Sequence, residues 1–235
     1  MDRRDFIKVC GASAVAVAAG AQSRLVYSGT AKDFARVKLV DETGQPLKAA
    51  SLGQKEAYVF NYPYAGIPCF LISLPDAAPA GAPLKTTEGE EYSFPGGVGA
   101  KKNVVGYMAV CTHQFAYPKK SESQLSYNPG NSEVAGRTGV ITCCAHNSVY
   151  DPAVGGKVLG GKTPQPLPGV RLEHDAATDE IYATGLYGAD LIEDFFKKFK
   201  AKLNAELGFG KYKEEVTGSA QAVPLSKYSA SADSC

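Results

Sequence analysis

The chain reads as all-β with one helix appended, and three observations carry that expectation. Between residues 34 and 187 the apolar residues fall in short runs punctuated by Gly, Pro, Asn and Asp, as strands and turns require. The stretch 104–111 is nearly continuous in apolar residues and suits a buried strand. A helical period of apolar residues takes over only beyond residue 190.

Taken in order, residues 35–40 form a first strand that ends in the turn Thr43-Gly44-Gln45-Pro46. Strands over 57–61 and 69–74 follow, then a Pro/Ala/Gly loop over 75–83. The runs 104–111 and 139–143 each end on a cysteine, so each strand delivers a loop rich in metal-ligating side chains. Residues 171–173 and 180–184 flank Asp175-Ala176-Ala177-Thr178-Asp179 as a hairpin. His174 sits at that hairpin and reads as a surface residue. In the helix 190–207, Leu191, Ile192, Phe195, Phe196, Phe199, Leu203 and Leu207 share one face, and Lys197, Lys198, Lys200 and Lys202 the other. Such a face packs on its own domain, on a partner subunit, or on a membrane interface. The tail 208–235 is polar and is expected to be extended, draped over a partner.

The 235 residues carry 25 Lys and Arg against 24 Asp and Glu, and 44% are hydrophobic. That suits one domain with one core, plus tails. With a formal net charge of +1 there is no basic field for nucleic acid. At the N-terminus, Asp2-Arg3-Arg4-Asp5-Phe6-Ile7-Lys8 precedes a mild apolar run rich in Ala and Gly, and Ala19-Gly20-Ala21 offers a cleavage site. Residues 1–22 resemble a twin-arginine export signal, which implies a periplasmic protein exported already folded. The run is short of the about 20 apolar residues a membrane span needs, so if uncleaved it could serve only as a weak anchor.

The chemistry lies in Cys111-Thr112-His113 and Cys143-Cys144-Ala145-His146. Two of the three histidines in the chain belong to these two motifs. Two thiolates and two imidazoles are the ligand set of a [2Fe-2S] cluster in which histidines replace cysteines on one iron. The substitution removes two negative charges relative to four cysteines and raises the potential to about −150 to +300 mV. A Cys2His2 zinc site is the alternative, but structural zinc usually spaces its cysteines two to four residues apart.

The run His146-Asn147-Ser148-Val149-Tyr150-Asp151 resembles the His-Gly-Ser-x-Tyr-Asp segment of high-potential Rieske proteins. The resemblance implies that Cys111, His113, Cys143 and His146 are the ligands, with Cys144 pointing away. It also implies that the hydroxyls of Ser148 and Tyr150 stabilise the reduced cluster. Gly160-Gly161-Lys162-Thr163-Pro164-Gln165-Pro166-Leu167-Pro168 resembles the loop that covers the cluster. Three departures stand out. The disulfide that many members place between the cluster loops would fall at Ala116 and Ala145, leaving packing and hydrogen bonds to hold the loops. The 29 residues separating the ligand arms, 114–142, are about twice the usual gap and read as an exposed insertion. Asn147 stands where Gly is common.

Asn61-Tyr62-Pro63, Ile67-Pro68-Cys69, Phe94-Pro95-Gly96-Gly97-Val98-Gly99 and the stretch 167–188 extend the resemblance to the Rieske subunit of arsenite oxidase. The implied fold is an antiparallel β base domain over 34–190 carrying a cluster-binding subdomain at about 108–168. The implied function is electron transfer between a molybdenum-containing subunit and a cytochrome c or copper protein, with substrate catalysis in the partner. The Rieske subunit of a quinol-oxidising complex, with a cytochrome b-type partner, is the alternative. Its exposed histidine would also accept a proton.

Overall fold

The computed structural model describes residues 31–235; residues 1–22, read from the sequence as an export signal, lie outside them. Three four-stranded sheets and one small hairpin make up the β architecture. In chain order the strands are β1 (Lys32–Val40), β2 (Tyr58–Asn61), β3 (Pro68–Ser73), β4 (Pro83–Lys85), β5 (Glu91–Ser93), β6 (Val104–Met108), β7 (Leu125–Asn128), β8 (Val140–Cys143), β9 (Ser148–Asp151), β10 (Lys157–Gly160), β11 (Val170–Asp175), β12 (Glu180–Leu186), β13 (Ser219–Gln221) and β14 (Val223–Pro224). The helices are α1 (Leu191–Leu207) and the single turn α2 (Leu225–Tyr228). The outer sheet runs β11-β12-β1-β13, the middle sheet β14-β2-β3-β6, and the third β10-β9-β8-β7. β4 and β5 pair with each other.

The middle sheet is buried on both faces, so the molecule has two cores where the composition suggested one. β3 shows why. Its Cys69 and Leu71 face the outer sheet and α1, while Phe70 and Ile72 face the third sheet. Successive strand side chains point to opposite faces, so an uninterrupted apolar run fills two cores at once. Phe70, Leu71 and Ile72 have no exposed surface, and each such burial is worth about 1.5–3 kcal/mol. Cys69 is a small buried residue in that run, with its thiol raised by desolvation.

β6 leaves the middle sheet at Met108, earlier than the apolar run 104–111 suggests. Ala109, Val110 and Cys111 remain buried but turn into the first ligand loop. β8 and β9 form the hairpin of the second ligand loop, with Cys143 opposite Ser148. The β11–β12 hairpin turns at 176–179, and His174 is half-buried there with its Nε2 2.7 Å from Asp179 Oδ1.

One reading is selected and two expectations are corrected. The apolar face of α1 packs on its own domain. Leu191, Ile192, Phe195, Phe196 and Leu203 are buried in this chain's own core, and no helix among the described residues is long and apolar enough to cross a membrane. The insertion 114–142 is an exposed loop only in part, chiefly at 120–121, 129–131, 133–134 and 136–138. Its Leu125–Asn128 segment is the buried edge strand β7, paired with β8, and Ser123 and Ser132 are buried as well. The tail drapes over this chain itself. β13 runs parallel to β1, β14 pairs with β2, and residues 229–235 lie against the insertion. Both misreadings have one cause: the serines and asparagines that suggest solvation in each segment are hydrogen-bonded to the other.

Candidate functional site

The two ligand arms meet at one end of the third sheet. In the first loop, Phe115 N–H donates to Cys111 O and Cys111 N–H to Ala116 O, both at 2.8 Å. The tight turn places Phe115 at φ 62°. In the second loop Asn147 has φ 57°, the left-handed backbone that Gly adopts freely and Asn tolerates best among the others. The thiols of Cys111 and Cys143 are both buried and lie close enough to shift each other's titration. The rings of His113 and His146 meet edge to face, with centroids 4.8 Å apart. The cysteines face inward. His113 is half-buried and His146 is exposed.

Hydroxyl groups converge on the inner thiol. Tyr150 Oη lies 3.3 Å from Cys111 Sγ and Ser148 Oγ 3.6 Å from it. Tyr150 Oη also accepts the Thr112 backbone N–H at 3.1 Å, and Thr163 Oγ1, 2.8 Å away, shares the hydroxyl with the sulfur. The neighbouring Cys143 thiol first, and then these hydroxyls, lower Cys111 below the ordinary thiol range against the effect of burial. Cys143 is raised by the same contact, because the pair resists losing a second proton. Burial and then the nearby Cys111 charge push Tyr150 up, so its hydroxyl keeps its proton.

The third loop closes the site through residues that the sequence motifs did not single out. Thr112 Oγ1 donates to Gln165 O at 2.8 Å and hydrogen-bonds Thr163 Oγ1, which lies 2.8 Å from Tyr150 Oη. Gln165 Oε1 in turn accepts Thr87 N–H from the β4–β5 hairpin. Gly161 approaches the second ligand loop so closely that a Cβ there would lie 2.6 Å from Asn147 O. The available signal for Thr112 was its place between two candidate ligands; for Thr163 and Gln165 it was their place in the stretch 160–168 that resembles a covering loop.

Each ligand loop has its own support. Tyr117, at the end of the first, packs edge-on against Phe195 and Phe199 of α1, each with ring centroids 5.1 Å away, and Lys198 Nζ donates to Gln114 O at 3.0 Å. The second is held at Cys144, whose N–H donates to Gln124 O at 2.8 Å and whose sulfur is joined to Cys235. Ala116 and Ala145 leave the two loops without a mutual bridge, but packing and hydrogen bonds are not their only tether, because the second carries this disulfide.

The fit of the site to an iron-sulfur cluster can be tested on these side chains. His113 Nδ1 is buried with no hydrogen-bond partner, a costly arrangement for a polar atom that a metal would relieve. Thiol lies beside thiol and imidazole beside imidazole, the pairing suited to two irons with two protein ligands each. The donor set fits.

A layered β scaffold presenting Cys-x-His and Cys-x-x-His loops, with serine and tyrosine hydroxyls on the inner sulfur, defines a Rieske-type protein. The chain is similar to the iodate reductase subunit IdrB of Pseudomonas sp. (strain SCT), 27% identical over 207 residues that cover 83% of this chain and 85% of that one. It is also similar to the solved soluble domain of the Rieske protein II (soxF) from Sulfolobus acidocaldarius, at 27% identity and a TM-score of 0.46, over 65% of this chain and 78% of the other. No protein-family model matches.

Proposed function

We propose that this chain is a high-potential Rieske [2Fe-2S] electron-transfer subunit of an exported oxidoreductase. Cys111 and Cys143 would hold one iron and His113 and His146 the other. The observation that carries the reading is the meeting of two buried thiols and two outward imidazoles at one end of the third sheet. When bound, the cluster supplies one-electron transfer.

The chain's own residues then have distinct tasks. Tyr150 and Ser148 aim hydroxyls at the Cys111 sulfur, where added negative charge is felt. The third loop, fixed through Thr112, keeps water from the thiol side. The exposed ring of His146 gives the electron its shortest route to a partner.

The likeness to an iodate reductase subunit supports a larger catalytic partner, and the arsenite oxidase resemblance suggests that it contains molybdenum. Beside a reductase the electron would enter from the cytochrome c or copper protein; beside an oxidase it would leave to that carrier. The Cys144–Cys235 disulfide and the twin-arginine pattern support an oxidising periplasmic location.

The test is spectroscopic. The purified protein should be red-brown and, when reduced, give a Rieske-type electron spin resonance signal. His113→Ala or His146→Ala should abolish the signal. A colourless protein containing zinc would overturn the reading. Copurification with a large molybdenum subunit supports the assignment within the complex, and copurification with a cytochrome b replaces it.

A further inference from the structure

The C-terminal strap 229–235 makes little use of the protein except at the insertion and the second ligand loop. Ser229 Oγ donates to Lys119 O at 2.7 Å and Ala230 N–H to Lys120 O at 2.9 Å. Ser123 N–H donates to Ser231 O and Asp233 N–H to Ser123 O, both at 2.8 Å. Ser234 Oγ donates to Asn128 Oδ1 at 2.7 Å, while Ser126 Oγ and Ser132 Oγ donate to the carbonyls of Asp233 and Cys235. The strap ends in the Cys144–Cys235 disulfide, and Cys144 directly follows the ligand candidate Cys143.

We propose that this strap is a thiol-operated latch that positions the second ligand loop. The inference rests on the reading of Cys143 and His146 as ligands. Closed, the latch fixes Cys144 from both sides, through Gln124 O at its N–H and Cys235 at its sulfur. Cys143 is thereby held between a strand and a covalent tether. Open, the strap is a free chain end held by hydrogen bonds, the kind of segment that frays.

Cys144 and Cys235 are only half-buried residues, which leaves the bridge open to an external dithiol. One thiolate attacks the Cys144–Cys235 bond and forms a mixed disulfide; the second resolves it. The S–S bond breaks and two thiols form. The dithiol supplies two electrons and, with solvent, two protons, and becomes its own disulfide.

Hydrogen exchange by mass spectrometry on the full chain tests this. The samples are the oxidised wild type, the wild type in dithiothreitol and Cys235→Ser. Opening the latch should speed exchange about tenfold or more at 123–128 and 140–146, with β3 and β6 unchanged. The loaded Cys235→Ser protein should show a shifted midpoint potential and an altered spin resonance line shape. Unchanged exchange at 140–146 with the disulfide shown to be open overturns the latch. So does a variant with a lower Tm but wild-type potential and line shape, since that marks a merely structural bridge. Should Cys235→Ser not fold, the dithiothreitol arm decides alone. A wild type without a cluster would defeat the functional reading and still leave the exchange result decisive.

Discussion

Removing the Ser148 hydroxyl should lower the midpoint potential while leaving the cluster in place. Ser148 begins β9 opposite Cys143, is fully buried, and points its Oγ at Cys111 Sγ across 3.6 Å. A hydrogen bond to a charged acceptor contributes about 1.5–3 kcal/mol. At about 59 mV per tenfold change for one electron, that corresponds to roughly 65–130 mV. Both figures are ceilings, because the sulfur is negatively charged before and after reduction and only the difference between the two states counts. The long Ser148 contact places Ser148→Ala near or below 65 mV on that scale. Tyr150 is closer, at 3.3 Å. Tyr150→Phe should therefore lower the potential more. It should also cost stability of about 1–3 kcal/mol, because the Thr112 N–H is left buried without a partner. Voltammetry of the two loaded variants, with spin resonance to confirm the cluster, measures both shifts. Wild-type potentials in both would show that the hydroxyls only pack the site.

Further outcomes follow from neighbouring residues. Cys143→Ser should lose the cluster, whereas Cys144→Ser should keep it while losing the disulfide; iron and sulfide analysis separates them, and the reverse result would move the ligand by one residue. Phe195→Ala removes a fully buried ring that supports Tyr117 and should cost about 3–5 kcal/mol in denaturant unfolding; a cost below that range would mean the first ligand loop does not depend on α1. Glu180 is held down to about 2, below its ordinary 4.5, chiefly by Lys38 and then by Tyr182. Its contribution to stability is present above pH 4.5 and is lost as pH falls through about 2. Glu180→Gln should thus have a lower Tm than the wild type at pH 6, with the gap closing toward pH 2; a gap that persists there would assign the effect to packing.

Much of the site could be read from the sequence because its pattern is local. Cys111 and His113, and Cys143 and His146, lie within three residues of each other, so one tight loop fixes each pair. The positive φ at Asn147 was foreseeable for the same reason. β3 and β6 were legible because strands buried on both faces need no alternation. The edge strand β7 was not, since Leu125-Ser126-Tyr127-Asn128 carries polar groups whose partners lie over a hundred residues away. β13 and β14 are short edge pieces held by β1 and β2 and have no period of their own. The end of β6 at Met108 was missed because burial continues after strand pairing stops, and composition records burial alone.

The two oddities of this chain, a long insertion between the ligand arms and a long C-terminal extension, account for each other. β7 adds a strand to the edge of the sheet that carries the second ligand loop, and its Ser126 and Asn128 are buried polar residues. An edge strand with buried polar side chains is tolerable only if something caps it. The strap does so, through Asp233 and Ser234. Without the strap those groups would face water and the edge would be open to pairing with other chains. Without the insertion the strap would keep its disulfide to Cys144 and lose its hydrogen bonds to Lys119, Lys120, Ser123, Ser126, Asn128 and Ser132. The first ligand loop needs no such device, because the aromatic side chains of α1 already clamp Tyr117. The molecule therefore steadies its two ligand loops by unrelated means, apolar packing for one and a covalently tied polar strap for the other. Only the second can be opened by a change in redox conditions.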